Sequence, residues 1–181
     1  MATKNNRRTL ITKKILKESL MELMQEKPIS KITIKEICDL SEMSRSTFYL
    51  HYQDQFELLT DIKNEVMENT EKALGSYDGD LNTIEGIENF LEYVKANKET
   101  FGILLCQQDT EDFQSMILKR IENNVRLSLP EIIDPQKTDY VFTFVMHGSL
   151  NVLRVWIQNG FETPTNEMAE LIYTLCNNIA R

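Results

Sequence analysis

Glycine and proline are scarce, with six glycines and four prolines among 181 residues. Both residues punctuate regular structure. Here they fall between segments of helical apolar periodicity, so the chain reads as all-α. Cysteine is scarcer still. Cys38, Cys106 and Cys176 are odd in number and far apart, and no C-x-x-C pair occurs. That argues against a zinc site and a disulfide framework and leaves small, reduced core residues. No apolar run approaches the roughly 20 residues of a membrane span. The opening MATKNNRRTLITKK carries charge but no apolar segment with a cleavage site, so no signal peptide is read and a cytoplasmic location is expected.

Catalytic motifs are missing as well. There is no glycine-rich phosphate loop, no H-E-x-x-H and no G-x-S-x-G. The two histidines, His51 and His147, lie far apart in the sequence. A Cys38–His51 nucleophile pair fails because Cys38 belongs to an inner helix face and His51 to an outer one. No enzyme activity, metal or cofactor is expected.

Charge is unevenly placed. Formal net charge is −8. Residues 1–53 nevertheless hold ten basic and six acidic side chains, a balance of +4, which leaves −12 for the remainder. A basic end on an acidic body suits a polyanion-facing surface, although an ordinary solvated helix face would give the same count.

Periodicity and caps place about nine helices. The first runs from about Arg8 to Glu26, with Leu16, Leu20, Leu23 and Met24 on one face and Pro28 as its stop. Thr33 and Glu36 form an S/T-x-x-E capping box for a short second helix ending near Leu40 or Ser41. Ser44 caps a short third, Arg45 to about Leu50. Asp54 caps a fourth, reaching about Leu74 before Gly75 and the SYDGD segment. Later helices are expected at about 83–97, 98–105, 112–129, 135–159 and 166–180, with Pro130 and Gly160 as stops and Pro135 in a first turn. The expected organisation is a DNA-binding domain over 1–53, a linking helix over 54–75 and a second domain over 76–181.

Two short helices about three residues apart form a helix-turn-helix, in which the second helix enters the major groove and the first braces it. Ile37, Cys38, Met43 and Phe48 would form its small core. Ser44, Arg45, Ser46, Thr47, Tyr49 and His51 then share the outer surface. Arginine can donate to phosphate or guanine, the hydroxyls to phosphate oxygens, and a tyrosine hydroxyl or imidazole N–H to the backbone. With Lys31, Thr33 and Gln55 these are the candidate contacts to double-stranded DNA. Tyr52 reads better as a packing residue.

These residues resemble the tetracycline-repressor (TetR) family of bacterial transcription regulators. The resemblance covers about residues 8 to 62. It rests on Ile37-Cys38, the turn Glu42-Met43-Ser44, the run Arg45-Ser46-Thr47-Phe48-Tyr49, His51-Tyr52, Asp54-Gln55 and Glu57-Leu58-Leu59. Two positions depart from the family pattern. Glu42 replaces the turn glycine, which implies strain of order 1 kcal/mol if φ is positive there. Gln55 replaces a lysine, which removes a phosphate-seeking charge.

In the second half, the 135–159 helix is apolar around most of its circumference and needs cover on several sides. Gly148 inside it costs roughly 1 kcal/mol unless something approaches closely. The segment resembles one C-terminal subgroup of the family through Phe144, Gly148, Trp156 and Gly160. That implies a helical bundle and a homodimer through a four-helix interface, for which Val152, Trp156, Leu171 and Leu175 are candidates. A small-molecule effector pocket is also implied, with Phe101, Phe113, Tyr140, Phe144, His147 and Trp156 as candidate lining; an aromatic stripe of this spacing equally suits a plain core. Arg154 would suit an anionic ligand or a rim or dimer salt bridge. The resemblance implies a repressor that binds a palindromic operator and is released by a ligand or partner. The alternative is a ligand-independent regulator or coactivator working through a protein partner.

Overall fold

The computed structural model describes residues 4–75, 83–107, 110–125 and 138–179. Nine α-helices and one 3₁₀ turn make up the regular structure of these residues, with no strand among them. They form two compact units, Met1–Val66 with Gln107–Asp109, and Met67–Cys106 with Thr110–Arg181.

The first unit begins with α1 (Lys4–Glu26). Leu16, Leu20 and Met24 recur at i, i+4 and i+8 on it and are fully buried. Pro28 closes it and opens a 3₁₀ turn (Ile29–Lys31) that buries Ile29. Next is α2 (Ile34–Leu40), whose capping box is complete: Glu36 N–H donates to Thr33 Oγ1 at 3.3 Å and Thr33 N–H to Glu36 Oε2 at 2.9 Å. The other carboxylate oxygen of Glu36 pairs with Lys27 Nζ. This ties the end of α1 to the start of α2.

The turn after α2 is a Schellman motif. Met43 N–H bonds to the Cys38 carbonyl at 3.0 Å and Glu42 N–H to that of Asp39 at 3.4 Å. Such a motif needs a left-handed residue at the position of Glu42, and its φ is 54°. A glutamate therefore sits where glycine is easiest, at a cost of about 1–2 kcal/mol.

Ser44 then caps α3 (Arg45–Tyr49), its Oγ accepting from Thr47 N–H at 3.1 Å. Asp54 caps α4 (Gln55–Gly75) in the same way through Glu57 N–H at 2.8 Å. The division between the units falls inside this continuous helix, between Val66 and Met67. Of the boundary expected over Gly75–Asp80, Gly75 is the last residue of α4 and 76–80 lies outside the described residues.

A polar hub fastens α4 to α1 within the first unit. Tyr52 Oη donates to Asp61 Oδ2 at 2.7 Å, and Lys17 and Lys13 reach the same oxygen at 3.1 and 3.4 Å. Lys13 also lies over the Tyr52 ring, 5.0 Å from its centroid. Burial and then the Asp61 carboxylate push the Tyr52 hydroxyl upward, so it keeps its proton and donates. Partial burial opposes ionisation of Asp61, but Tyr52 and the lysines outweigh it and hold the carboxyl below its ordinary range.

The second unit adds α5 (Ile84–Ala96), α6 (Lys98–Cys106), α7 (Glu111–Val125), α8 (Thr138–Gln158) and α9 (Thr165–Ile179). The pairs α5/α9, α6/α8 and α8/α9 dominate its packing. The expected stop at Pro130 and start at Pro135 lie outside the described residues. The end of α8 is a second Schellman motif, with Gly160 at φ 69° and Phe161 N–H bonded to the Trp156 carbonyl at 3.0 Å. The hydrophobic contact that accompanies this motif is present, since the Trp156 and Phe161 rings meet edge to face at 4.7 Å. Trp156 Nε1–H donates to the Thr163 carbonyl at 2.8 Å.

Two predictions follow from the local geometry of α2 and its turn. Lys27, followed by the Thr33 N–H and hydroxyl, holds the Glu36 carboxyl at about 2, against an ordinary 4.5. The folded value is the lower one. Its contribution is therefore complete above about pH 5 and fades as pH falls toward about 2. The thermal midpoint of the native protein should drop more steeply over that window than that of Glu36→Gln; parallel curves would remove the carboxylate from the stability balance. Glu42→Gly should raise the urea unfolding free energy by about 0.5–1 kcal/mol, as relief of left-handed strain outweighs glycine's extra chain entropy. A loss of stability would mean that the Glu42 side chain supports the turn.

Candidate nucleic-acid interface

A five-residue helix does not stand by itself in water. α3 is held by Phe48, which is fully buried and packs near Tyr52 with ring centroids 6.0 Å apart. Ile37 and Cys38 of α2 are buried in the same unit, and Met43 is half-buried. With Phe48 inward, the rest of α3 turns outward. Ser44, Arg45, Ser46, Tyr49 and Leu50 are exposed, and Thr47 and His51 are half-buried.

The expected contact residues separate by what their polar atoms already do. Ser44 Oγ caps α3 and also meets Ser46 Oγ at 2.7 Å and Thr47 Oγ1 at 2.8 Å. Thr33 Oγ1 is engaged with Glu36 in the capping box. These two chiefly shape the backbone. Arg45 and Tyr49 sit one turn apart on the outer side of α3, Tyr49 with 58% of its surface exposed. Lys31 is exposed on the 3₁₀ turn, and Gln55 is half-buried at the first position of α4. His51 lies edge-on to Tyr52, with 6.4 Å between ring centroids.

Charge is refined by pairing. Lys13, Lys17 and Lys27 spend theirs on Asp61, Glu65 and Glu36, and Lys14 pairs with Glu18. Arg7, Arg8, Lys31, Lys35 and Arg45 are exposed and form no ion pair among the described residues. Exposed, unpaired cations are what phosphate contact requires. Arg7, Arg8 and Lys35 did not stand out in the sequence, because pairing partners distant along the chain cannot be read there.

The candidate ligand and interface residues are sorted differently from the sequence expectation. Phe101 and Phe113 are fully buried and 6.5 Å apart in the second unit, with Tyr93 against Phe101 at 5.9 Å. Tyr140, Phe144 and His147 are not with them. They lie on the outer face of α8, Tyr140 78% and Phe144 65% exposed, because Phe142, Val145, Met146 and Leu150 occupy the inner face. Leu171 and Leu175 are exposed on α9 and Val152 is half-buried. Trp156 is 2% exposed, committed to Phe161 and Thr163 of its own chain.

Among the described residues no group of three or more His, Cys, Asp or Glu could hold a metal ion. No helix of the described residues is long and apolar enough to cross a membrane.

The family model for the transcriptional regulator C-terminal region (TetR_C_8) matches residues 82–178, just over half of the chain. An HTH-type transcriptional regulator of Bacillus subtilis, YxbF, is 23% identical over 144 residues, 73% of this chain and 38% of that protein. The HTH-type dhaKLM operon transcriptional activator DhaS of Lactococcus lactis is 34% identical over 56 residues, 31% of this chain and 30% of its own. The chain thus matches under two-fifths of the length of either relative. Among solved structures, a TetR transcriptional regulator from Streptococcus agalactiae superposes with a TM-score of 0.78 at 21% identity, covering 95% of this chain and 97% of that one. A TetR-family regulator from Syntrophomonas wolfei gives 0.70 at 16% identity, covering 93% and 94%. With a family model over most of the second unit and the same fold over nearly the whole chain, this protein belongs to the TetR family of transcriptional regulators.

Proposed function

We propose that the protein is a homodimeric, sequence-specific DNA-binding regulator that sets one α3 helix of each protomer into successive major-groove turns of a palindromic operator, about 34 Å apart. The observation that carries this is the outward face of α3. It is held by Phe48 and presents Arg45, Ser46 and Tyr49 uncovered. Arg45 suits guanine or phosphate, and the Ser46 and Tyr49 hydroxyls suit phosphate. Thr47, His51, Lys31 and Gln55 flank this set, and Arg7, Arg8 and Lys35 add charge toward the backbone. Residues 1–53 serve as the reading domain, 54–75 as the linking helix and 76–181 as the dimerisation and sensing domain.

The dimer reading is supported by the apolar face left uncovered in one chain: Tyr140, Phe144 and Val155 on α8, Leu171 and Leu175 on α9. Gly148 is exposed in the middle of α8, and a Cβ there would meet nothing within 4 Å. Nothing among the described residues accounts for a mid-helix glycine, whereas a second helix approaching closely would. Tyr140, Phe144 and His147 are thereby reassigned from pocket lining to the dimer face, where Val152 borders them, and Trp156 becomes a structural residue. Phe101 and Phe113 stay as candidate lining for an effector. The Phe144-Gly148-Trp156-Gly160 pattern supports reading the body as one of the corresponding C-terminal subgroup.

Repression relieved by a small ligand or a partner at the second unit is the regulatory mode we favour. Activation is the second reading, supported by the relative named as the dhaKLM operon transcriptional activator. A promoter fusion carrying the bound site separates them: repression raises reporter output on deletion of the regulator, and activation lowers it.

Two outcomes are expected in vitro. Arg45→Ala should weaken binding to the selected operator by about 1–3 kcal/mol and lower the salt slope, with the helical circular dichroism intact. Unchanged affinity would remove Arg45 from the contact set. Phe144→Glu should convert a sedimenting dimer into a folded monomer, because it places a charge in an apolar interface. A dimer of native affinity would move the interface elsewhere.

A further inference from the structure

The residue that points straight out of α3 is an apolar one. Leu50 N–H bonds to the Ser46 carbonyl at 3.2 Å, and Leu50 keeps helical angles (φ −71°, ψ −19°), so it continues the α3 spiral by one position. At 3.6 residues per turn, Ser46 and Leu50 lie two positions either side of Phe48 and within about 20° of the direction opposite it. Phe48 is fully buried, which makes Ser46 and Leu50 the outermost ridge. Arg45 and Tyr49 stand on one flank, Thr47 and His51 on the other.

Leu50 is 80% exposed, and no other large apolar residue among those described exceeds it. It has no polar atom to offer a phosphate, and no neighbour covers it. In a groove lined by donors and acceptors, the group that an aliphatic side chain can recognise is the C5-methyl of thymine.

We propose that Leu50 is a specificity-determining residue which reads a thymine methyl at one fixed position of each operator half-site. The proposal rests on α3 being the DNA-reading helix. The flanking Arg45 and Tyr49 then set register and affinity, while the ridge supplies discrimination among bases. Ser46, beside Leu50 on that ridge, is the polar neighbour that keeps the contact from being wholly apolar.

The test separates this contact from the wider reading. Full-length protein is first used to select duplexes from a random pool. Each thymine of the enriched duplex is then replaced singly by deoxyuridine, which removes the methyl and leaves base pairing unchanged. The native protein should lose about fourfold in affinity at one thymine per half-site, the worth of one buried methyl. Leu50→Ala should bind the thymine and deoxyuridine duplexes equally at that position and respond like the native protein at every other. Leu50 is exposed, so the variant should keep the native unfolding midpoint. If Leu50→Ala retains the native thymine-to-deoxyuridine ratio everywhere, or if no thymine is methyl-sensitive, Leu50 does not read the base. If the native protein enriches no duplex at all, the DNA-reading assignment itself fails and takes this contact with it.

Discussion

The burial of Phe48 is the contact on which the outward face of α3 depends. α3 is five residues long, far below the length at which a helix persists without packing. One aromatic side chain, fully buried, fixes both its position and its rotation. Everything outward on α3 is outward because Phe48 is inward. Tyr52 extends the anchor: its ring lies near that of Phe48, and its hydroxyl is bonded to Asp61 on α4. The chain is thus fastened just before and just after the exposed turn at Leu50.

Charge in the first unit does two separate jobs. Lys13, Lys17 and Lys27 hold helices together through Asp61, Glu65 and Glu36, so their positive charge is largely cancelled where it stands. Such half-exposed pairs contribute modestly to stability. Their main consequence is to leave a smaller set of uncompensated cations: Arg7, Arg8, Lys31, Lys35 and Arg45. The +4 balance of residues 1–53 therefore understates how specifically the attraction for a polyanion is placed.

The two helix ends built as Schellman motifs share one hydrogen-bond pattern met by different residues. After α8 the left-handed position that follows the helix is Gly160, and Phe161, itself at φ 62°, closes the motif on Trp156. After α2 it is Glu42, which stores strain in the turn that presents α3. The backbone pattern dictates φ at both places, and the side chain decides only the cost. Glu42 also sets a negative charge in the turn beside α3.

Much of the architecture was legible in the residues themselves. Scarce glycine and proline, caps at Thr33, Ser44 and Asp54, and 3.6-residue periodicity placed the described helix ends to within a few residues, because caps and stops act through neighbours in sequence. The first turn of α1, Lys4–Arg7, and the 3₁₀ turn at Ile29–Lys31 carry no cap signal in the sequence and lie outside the expected helices. The helix-turn-helix and the family resemblance were also readable, as both depend on spacing. What lay beyond the sequence was any property set by residues distant along the chain. Rotation of α8 put Tyr140, Phe144 and His147 outside and Trp156 inside, although all four sit on one apolar helix. Packing of α3 on Phe48 left Leu50 on the outer ridge, a placement that the pattern of hydrogen-bond donors around it does not signal. Ion pairing across 48 residues decided which lysines are spent. Local chemistry determined where helices begin and end; only tertiary packing decided which face each one shows, because a face is defined by what covers the other side.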